Sequence, residues 1–298
     1  MKMEILSVFR CPVCAAPLRR EGKSLVCTAG HTFDIARSGY ANMLPPGKER
    51  NARAGDEKAM VSARAAFLAL GYYSGISQTA AELTAEALPD GEVLLCDMGC
   101  GEGYHSCTIA ETTAEKRGMP VTMLGFDASK YAAECACRLA VRRGLLSREG
   151  IGAAWDSPVQ ACFLPGNLFH LPLADGCCGA AFSLFAPTAG EEAHRILKPH
   201  GLLTVVSAGR DHLSELRELI YSEVRRTDAQ PQTPAGFSER LRTRLTYPIE
   251  LDSREAIRNL FVMTPFYYRT TEEGRERLLS RDSLSVTADV VISLFEAE

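Results

Sequence analysis

Three observations predict an α/β chain with a doubly wound parallel sheet behind a small metal-binding module. Four residues of zinc-ligand type are gathered in the first 31 positions. Short apolar strands alternate with helical segments from Val93 to Val206. A glycine-rich loop, Gly99 to Gly103, follows the first of those strands and opens a helix.

The amino-terminal module rests on Cys11-Pro12-Val13-Cys14, Cys27 and His31. Their spacing, C-x2-C-x12-C-x3-H, is that of a closed Cys3His zinc site. The two-residue gap lets consecutive amides turn around the metal so that both thiolates face it. Pro12 prebends that turn, and Gly30 gives the chain room before His31. His31 to Ile35 alternates as a short strand does, Ser38 to Asn42 reads as a turn, and Pro45-Pro46-Gly47 closes the module. We assign residues 1–47 to it, 48–74 to a polar linker and a first helix, and 75–298 to the main domain. That first helix runs from about Glu57 to Leu70 and stops at Gly71; a second runs from about Gly75 to Leu88.

The alternation follows. Strands are expected at Val93–Asp97, Val121–Phe126, Gln160–Leu164, Gly179–Phe185 and Gly201–Val206, with helices at about Ser106–Arg117, Lys130–Arg143 and Gly190–Leu197. A ligand then belongs at the carboxyl ends of the strands. Beyond Ser214 the tail begins as a helix and ends in an apolar strand, Val286 to Leu294.

Composition narrows the setting. The chain has 298 residues, 46% of them apolar and 23% charged, enough to bury a full core. No apolar run reaches the roughly 20 residues of a membrane span. Eleven cysteines, an odd number scattered through apolar segments, speak against a secreted disulfide framework and fit a reducing cytoplasm. The net charge of −4 is uneven. Residues 1–64 hold eleven Lys/Arg and six Asp/Glu, a local +5, so polyanion binding would begin there.

The loop Asp97-Met98-Gly99-Cys100-Gly101-Glu102-Gly103 is spaced G-x-G-x-G, with an acid two residues ahead. The dinucleotide spacing, G-x-G-x-x-G, cradles a pyrophosphate instead. Bare backbone lets a phosphate-free cofactor lie against the loop, and Asp97 suits a cationic, amine-bearing one. S-adenosylmethionine (SAM) fits on both counts. Asp127 ends the second strand, 24 residues after Gly103, where a carboxylate meets ribose hydroxyls. The fold class is therefore a doubly wound, Rossmann-like SAM-dependent methyltransferase domain behind a zinc ribbon. The fourth strand runs into Ser183-Leu184-Phe185-Ala186-Pro187, which lacks the Asn/Asp-Pro-Pro-aromatic of exocyclic-amine methyltransferases. It also lacks a Pro-Cys pair for attack on pyrimidine C6. Ring-nitrogen methylation needs neither device.

With these residues in view, the chain resembles the bacterial 23S rRNA (guanine-N1)-methyltransferases, the RlmA family, over nearly its whole length. The shared stretches are the Cys11–Cys14 knuckle with Pro17-Leu18, Gly30 to Asp34, Gly39 to Leu44, Arg64 to Leu68 with Tyr73, and Asp97 to Tyr104. Ala186-Pro187 with Glu191-Glu192, Lys198-Pro199, His212 to Leu216 and Met263 to Phe266 complete the match. The resemblance implies SAM-dependent methylation of guanine N1 in a 23S rRNA hairpin, a zinc module that helps grip the RNA, and a homodimer. It places zinc on Cys11, Cys14, Cys27 and His31, and SAM contacts on Tyr73, His212 and the glycine loop. The cofactor set is then Tyr73, Asp97, Gly99, Gly101, Glu102, Gly103, Asp127, Asn167 and His212. Asn167 either touches the adenine or merely ends the third strand, and no catalytic residue is assigned. Gly179 replaces a common aspartate, His200 interrupts a usual Pro-Gly-Gly, and Ser207 to Asp211 replaces a proline-glycine turn before His212.

Two other readings compete. A SAM enzyme of small molecules would use the ribbon only as a structural lid, and a silent RNA binder would keep the SAM fold as a scaffold. The intact loop and Asp127 oppose the second. Arg225-Arg226 and the Arg240 to Arg244 stretch favour RNA over the first.

Overall fold

The computed structural model describes residues 5–44, 57–153, 157–223 and 231–298. The expected linker from Lys48 to Gly55, the 47/48 boundary and Arg225-Arg226 lie outside the described residues. The first ordered piece is the ribbon. Strands β1 (Leu18–Glu21), β2 (Ser24–Cys27) and β3 (Thr32–Asp34) form an antiparallel sheet in that order. Two helices, α1 (Lys58–Ala69) and α2 (Ser74–Ala87), lead into the main domain.

There β4 (Val93–Met98), β5 (Val121–Asp127), β6 (Val159–Pro165), β7 (Cys178–Leu184) and β8 (Leu197–Ala208) are parallel. Helices α3 (Tyr104–Arg117), α4 (Lys130–Arg142) and α5 (Gly190–Ile196) connect them. β4 and β5 are buried along almost their whole length, as strands covered on both faces must be. Two helix starts have a local cause: Gly103 turns into α3 with φ 85°, and Ser129 Oγ accepts the Ala132 N–H at 3.3 Å to cap α4. After α6 (Ser214–Ile220) come β9 (Phe237–Leu251), α7 (Arg254–Val262), α8 (Glu272–Leu279) and β10 (Leu284–Ala297). The sheet order is β6-β5-β4-β7-β8-β10-β9, with β10 antiparallel to both neighbours. The winding therefore reverses between β4 and β7, and a crevice opens at their carboxyl ends.

The expected basic stretch Arg240 to Arg244 lies within β9. β9 is the sheet's edge strand, where charge protects against further pairing. Arg240 pairs with Glu296, Arg242 with Glu239, and Arg244 with Asp289 and Asp211. These arginines serve the sheet, so they no longer count in favour of RNA.

The ribbon is docked firmly onto the main domain. Phe9 bridges to Leu173, the Arg10 N–H donates to the Pro172 carbonyl at 2.8 Å, and Ala174 N–H donates to Val8 O at 2.8 Å. On the other side Arg20 donates to the carbonyls of Ile151 and Glu149 at 2.8 and 3.0 Å. Gly39 and Gly150 meet backbone to backbone, and a Cβ on Gly150 would stand 2.7 Å from the Gly39 Cα. Apolar residues of both parts form one continuous core. No helix among the described residues is long and apolar enough to cross a membrane.

Candidate active site and metal centre

The metal centre is assembled by two tight turns. Ala15, with φ 57°, closes the first after Cys14, and its N–H reaches Cys11 O at 2.8 Å. Gly30, with φ 83°, closes the second, and its N–H reaches Cys27 O at 3.0 Å. The four ligand atoms of Cys11, Cys14, Cys27 and His31 lie within 4.8 Å of one another. A tetrahedral zinc with sulfur at ~2.3 Å requires sulfur–sulfur edges of ~3.8 Å. The Cys14 and Cys27 sulfurs are 3.7 Å apart, and His31 Nδ1 is 3.6 Å from Cys11 Sγ and 3.4 Å from Cys27 Sγ. The His31 backbone N–H also points at Cys27 Sγ, at 3.3 Å, and stabilises it as a thiolate. The donor set fits zinc.

The crevice at the switch point opens into a cavity of about 1490 Å³. Its floor is the loop after β4, and the three loop glycines have different duties. A Cβ on Gly99 would meet Ala186 Cβ at 2.5 Å, and one on Gly103 would meet Ala136 Cβ at 2.7 Å. Both therefore allow close packing. Gly101, with φ 53°, has only the tip of Arg64 nearby, at 3.3 Å, and offers its bare backbone to the cavity. Its N–H donates to Asp127 Oδ2 at 3.0 Å, while the Ser129 N–H donates to Asp127 Oδ1 at 2.8 Å. Those two bonds aim the carboxylate at the end of β5 and leave it further acceptor capacity.

Two buried acids flank the loop. Asp97 lies behind it, away from the cavity lining, and Oδ2 accepts the Ser106 hydroxyl at 2.5 Å. Oδ1 is buried and makes no hydrogen bond. Burial pushes its carboxyl up to about 7 against the Ser106 bond, with Asp127 and Glu102 adding repulsion. Glu102 does line the cavity; Oε2 makes no hydrogen bond and stands 3.9 Å from Arg64 Nη1. Burial raises it to about 7 against the pull of Arg64. The unmatched buried oxygen of Glu102 at the cavity wall suits a cationic ligand. Folded Asp97 holds its proton from its ordinary 3.8 up to about 7, so over that window the native state binds more protons than the unfolded chain. Stability conferred by the protonated form is lost as pH rises. In the unligated protein Asp97→Asn should therefore gain on the native sequence as pH rises through this window, then level off. Thermal melts of both proteins check this, and a pH-independent difference contradicts it.

Another part of the lining is aromatic. Tyr73, just before α2, and His212, just before α6, both line the cavity, with Tyr73 Oη 3.2 Å from His212 Nε2. The Asp289 N–H donates to His212 Nδ1 at 3.2 Å, so the neutral ring carries its proton on Nε2 and donates it to Tyr73. Burial keeps that ring neutral, lowering its pKa to about 4. Asp289 also fixes the loop that replaces the proline-glycine turn. Its carbonyl accepts Gly209 N–H, and Oδ2 accepts Asp211 N–H, each at 2.8 Å. Arg244 clamps the same carboxylate with two bonds of 2.6 Å. The paired tail strands β9 and β10 thus place His212.

Of the expected cofactor set, Tyr73, Gly99, Gly101, Glu102, Asp127, Asn167 and His212 share the cavity, whereas Asp97 and Gly103 support it from behind. Glu191 and Glu192 are outside it: Glu192 accepts the Leu171 N–H and pairs with Arg195. The lining residues without a role in the sequence reading include Arg64, His105, Phe169 and Phe185. His105 had a usable signal, as one of only six histidines standing two residues after the glycine loop. Ser77 holds it at 2.6 Å, and burial keeps it neutral, with its pKa lowered to about 4.

Comparison with known proteins decides the family. Residues 9–51 match the profile described as "RlmA, N-terminal", and residues 96–205 match "Methyltransferase domain". The 23S rRNA (guanine(748)-N(1))-methyltransferase of Streptomyces fradiae is 34% identical over 257 residues, covering 82% of each chain. The chain belongs to the RlmA family. The Bacillus subtilis protein YxjB, provisionally described as a 23S rRNA (guanine-N(1)-)-methyltransferase, is 30% identical over 295 residues, 96% of each chain. This RlmA-family enzyme is a methyltransferase whose cofactor is SAM, and its ribbon carries structural zinc. Gly101, Glu102 and Asp127 line the cavity beside one another.

Proposed function

We propose that this enzyme methylates N1 of a guanine in a hairpin of 23S rRNA. The reading is carried by the size and make-up of the cavity. At about 1490 Å³ it exceeds the ~300–1,000 Å³ of a single small-molecule site. Gly101 and Asp127 form one polar cluster of the lining and Tyr73, His105, Phe185 and His212 one aromatic cluster, and the volume leaves room for a cofactor and an extruded base together. The relatives' activity on guanine N1 of 23S rRNA supplies the substrate.

SAM supplies an activated methyl group when bound. The protein's task is then alignment and exclusion of water. Asp127 and the Gly101 backbone orient the cofactor side. Neutral His105 and His212 add no positive charge beside a sulfonium, and Tyr73, relieved of accepting a ligand proton by the His212 N–H, keeps its own O–H to donate. The docked ribbon, which carries six Lys/Arg against three Asp/Glu over residues 1–47, grips the hairpin outside the cavity. The resemblance extends this reading to a cytoplasmic homodimer with no membrane attachment; a monomeric mass by light scattering would remove the dimer.

Methyl transfer from labelled SAM to a 23S hairpin transcript tests the reading. Its KM should rise steeply with added salt, because each phosphate contact releases counterions. Salt-indifferent transfer, or transfer only to small molecules with the ribbon as a structural lid, would oppose it.

A further inference from the structure

We infer that Phe185 is the platform on which the target base stacks, an inference that rests on the proposed RNA substrate. Phe185 follows β7 directly, at the sheet's switch point, and is a large apolar residue with a φ of 54°. That left-handed conformation is unfavourable for a bulky side chain, and such strain persists only where the surroundings over-determine it. Here they do. The Phe185 N–H is held by Val206 O at 2.9 Å, and the Ser183 hydroxyl reaches back to Ala186 O at 3.3 Å. Ala186 is pressed against Gly99 so closely that no Cβ would fit between them.

The strain gives the fold nothing, because the ring is not used to build the core: it remains 42% exposed while lining the cavity. What it gains is a fixed position. The His212 ring stacks beside it at 5.7 Å and 29°, Tyr73 lies 6.0 Å away and His105 6.3 Å away. Three side chains that are themselves anchored thus brace one partly exposed ring at the cavity wall. An aromatic face held open next to a cofactor loop is what a flipped purine needs, since stacking replaces the neighbours it leaves in the RNA. It also meets, by a strained single residue, the need that an Asn/Asp-Pro-Pro-aromatic loop would otherwise fill.

The test compares Phe185→Gly and Phe185→Trp with the native enzyme. Glycine accepts the left-handed backbone, so Phe185→Gly should melt at or above the native temperature, which separates folding from function. Its kcat/KM on the hairpin transcript should fall about tenfold to a hundredfold, with SAM affinity in a titration unchanged. Phe185→Trp should recover most of the loss. A hairpin carrying 2-aminopurine in place of the methylated guanine should fluoresce more brightly in the Phe185→Gly complex than in the native one. Full activity of Phe185→Gly, or a parallel loss of SAM affinity that reassigns the ring to the cofactor, overturns the inference. Failure of the native enzyme to methylate the hairpin overturns the substrate reading itself and this inference with it.

Discussion

Replacing Cys11 with Ser should strip the protein of zinc and reduce methylation of 23S rRNA by more than about tenfold, while SAM still binds. Closure of the coordination shell is the reason for the first effect: three donors without the fourth leave an open site, and binding energy in such small modules is folding energy. The second follows from docking. Val8, Phe9 and Arg10 tie the ribbon to the Pro172–Ala174 segment, so a collapsed ribbon exposes part of the common core and disorders the positively charged amino-terminal segment. SAM binding survives because no zinc ligand lines the cavity. Metal release measured with a chelating dye, together with a SAM titration and an rRNA assay on the same sample, checks all three. A zinc-free variant with full rRNA activity would remove the ribbon from the account.

Gly101→Val should weaken SAM binding by about a hundredfold or more. A branched side chain at φ 53° is strained, and it would project into the cavity where only the flexible end of Arg64 now stands. It would also disturb the N–H that orients Asp127. Gly103→Ala provides the contrast: its methyl group would press on Ala136 Cα at 2.9 Å, so its main effect should be on thermal stability. Calorimetric titration with SAM separates the two, and native affinity in Gly101→Val would show the cofactor lying elsewhere.

The parts of this protein visible in its sequence are those where short-range chemistry dictates geometry. Cysteine spacing specifies a knuckle, and apolar runs of five to seven residues specify strands buried on both faces. A glycine loop between strand and helix specifies the switch-point crevice. β9 was not legible because an edge strand answers to solvent on one face and to salt bridges on the other. Arg240, Arg242 and Arg244 therefore look like a basic patch until the structure shows their partners, Glu296 and Asp289 on β10 and Glu239 on β9 itself. Asp289 was hidden for a related reason: its partners Arg244, Gly209, Asp211 and His212 are far from it in the chain. Phe185 could be seen only as the end of a strand, because its importance lies in a backbone angle.

The most direct test of the central claim is to map methyl groups on 23S rRNA, by mass spectrometry and by reverse-transcription stops, from cells with and without the gene. The account predicts one guanine, in a hairpin, that loses an N1 methyl when the gene is deleted and regains it when the purified zinc-loaded enzyme and SAM are added. Identical methylation in both RNAs, with labelled methyl passing only to a small molecule, would contradict it.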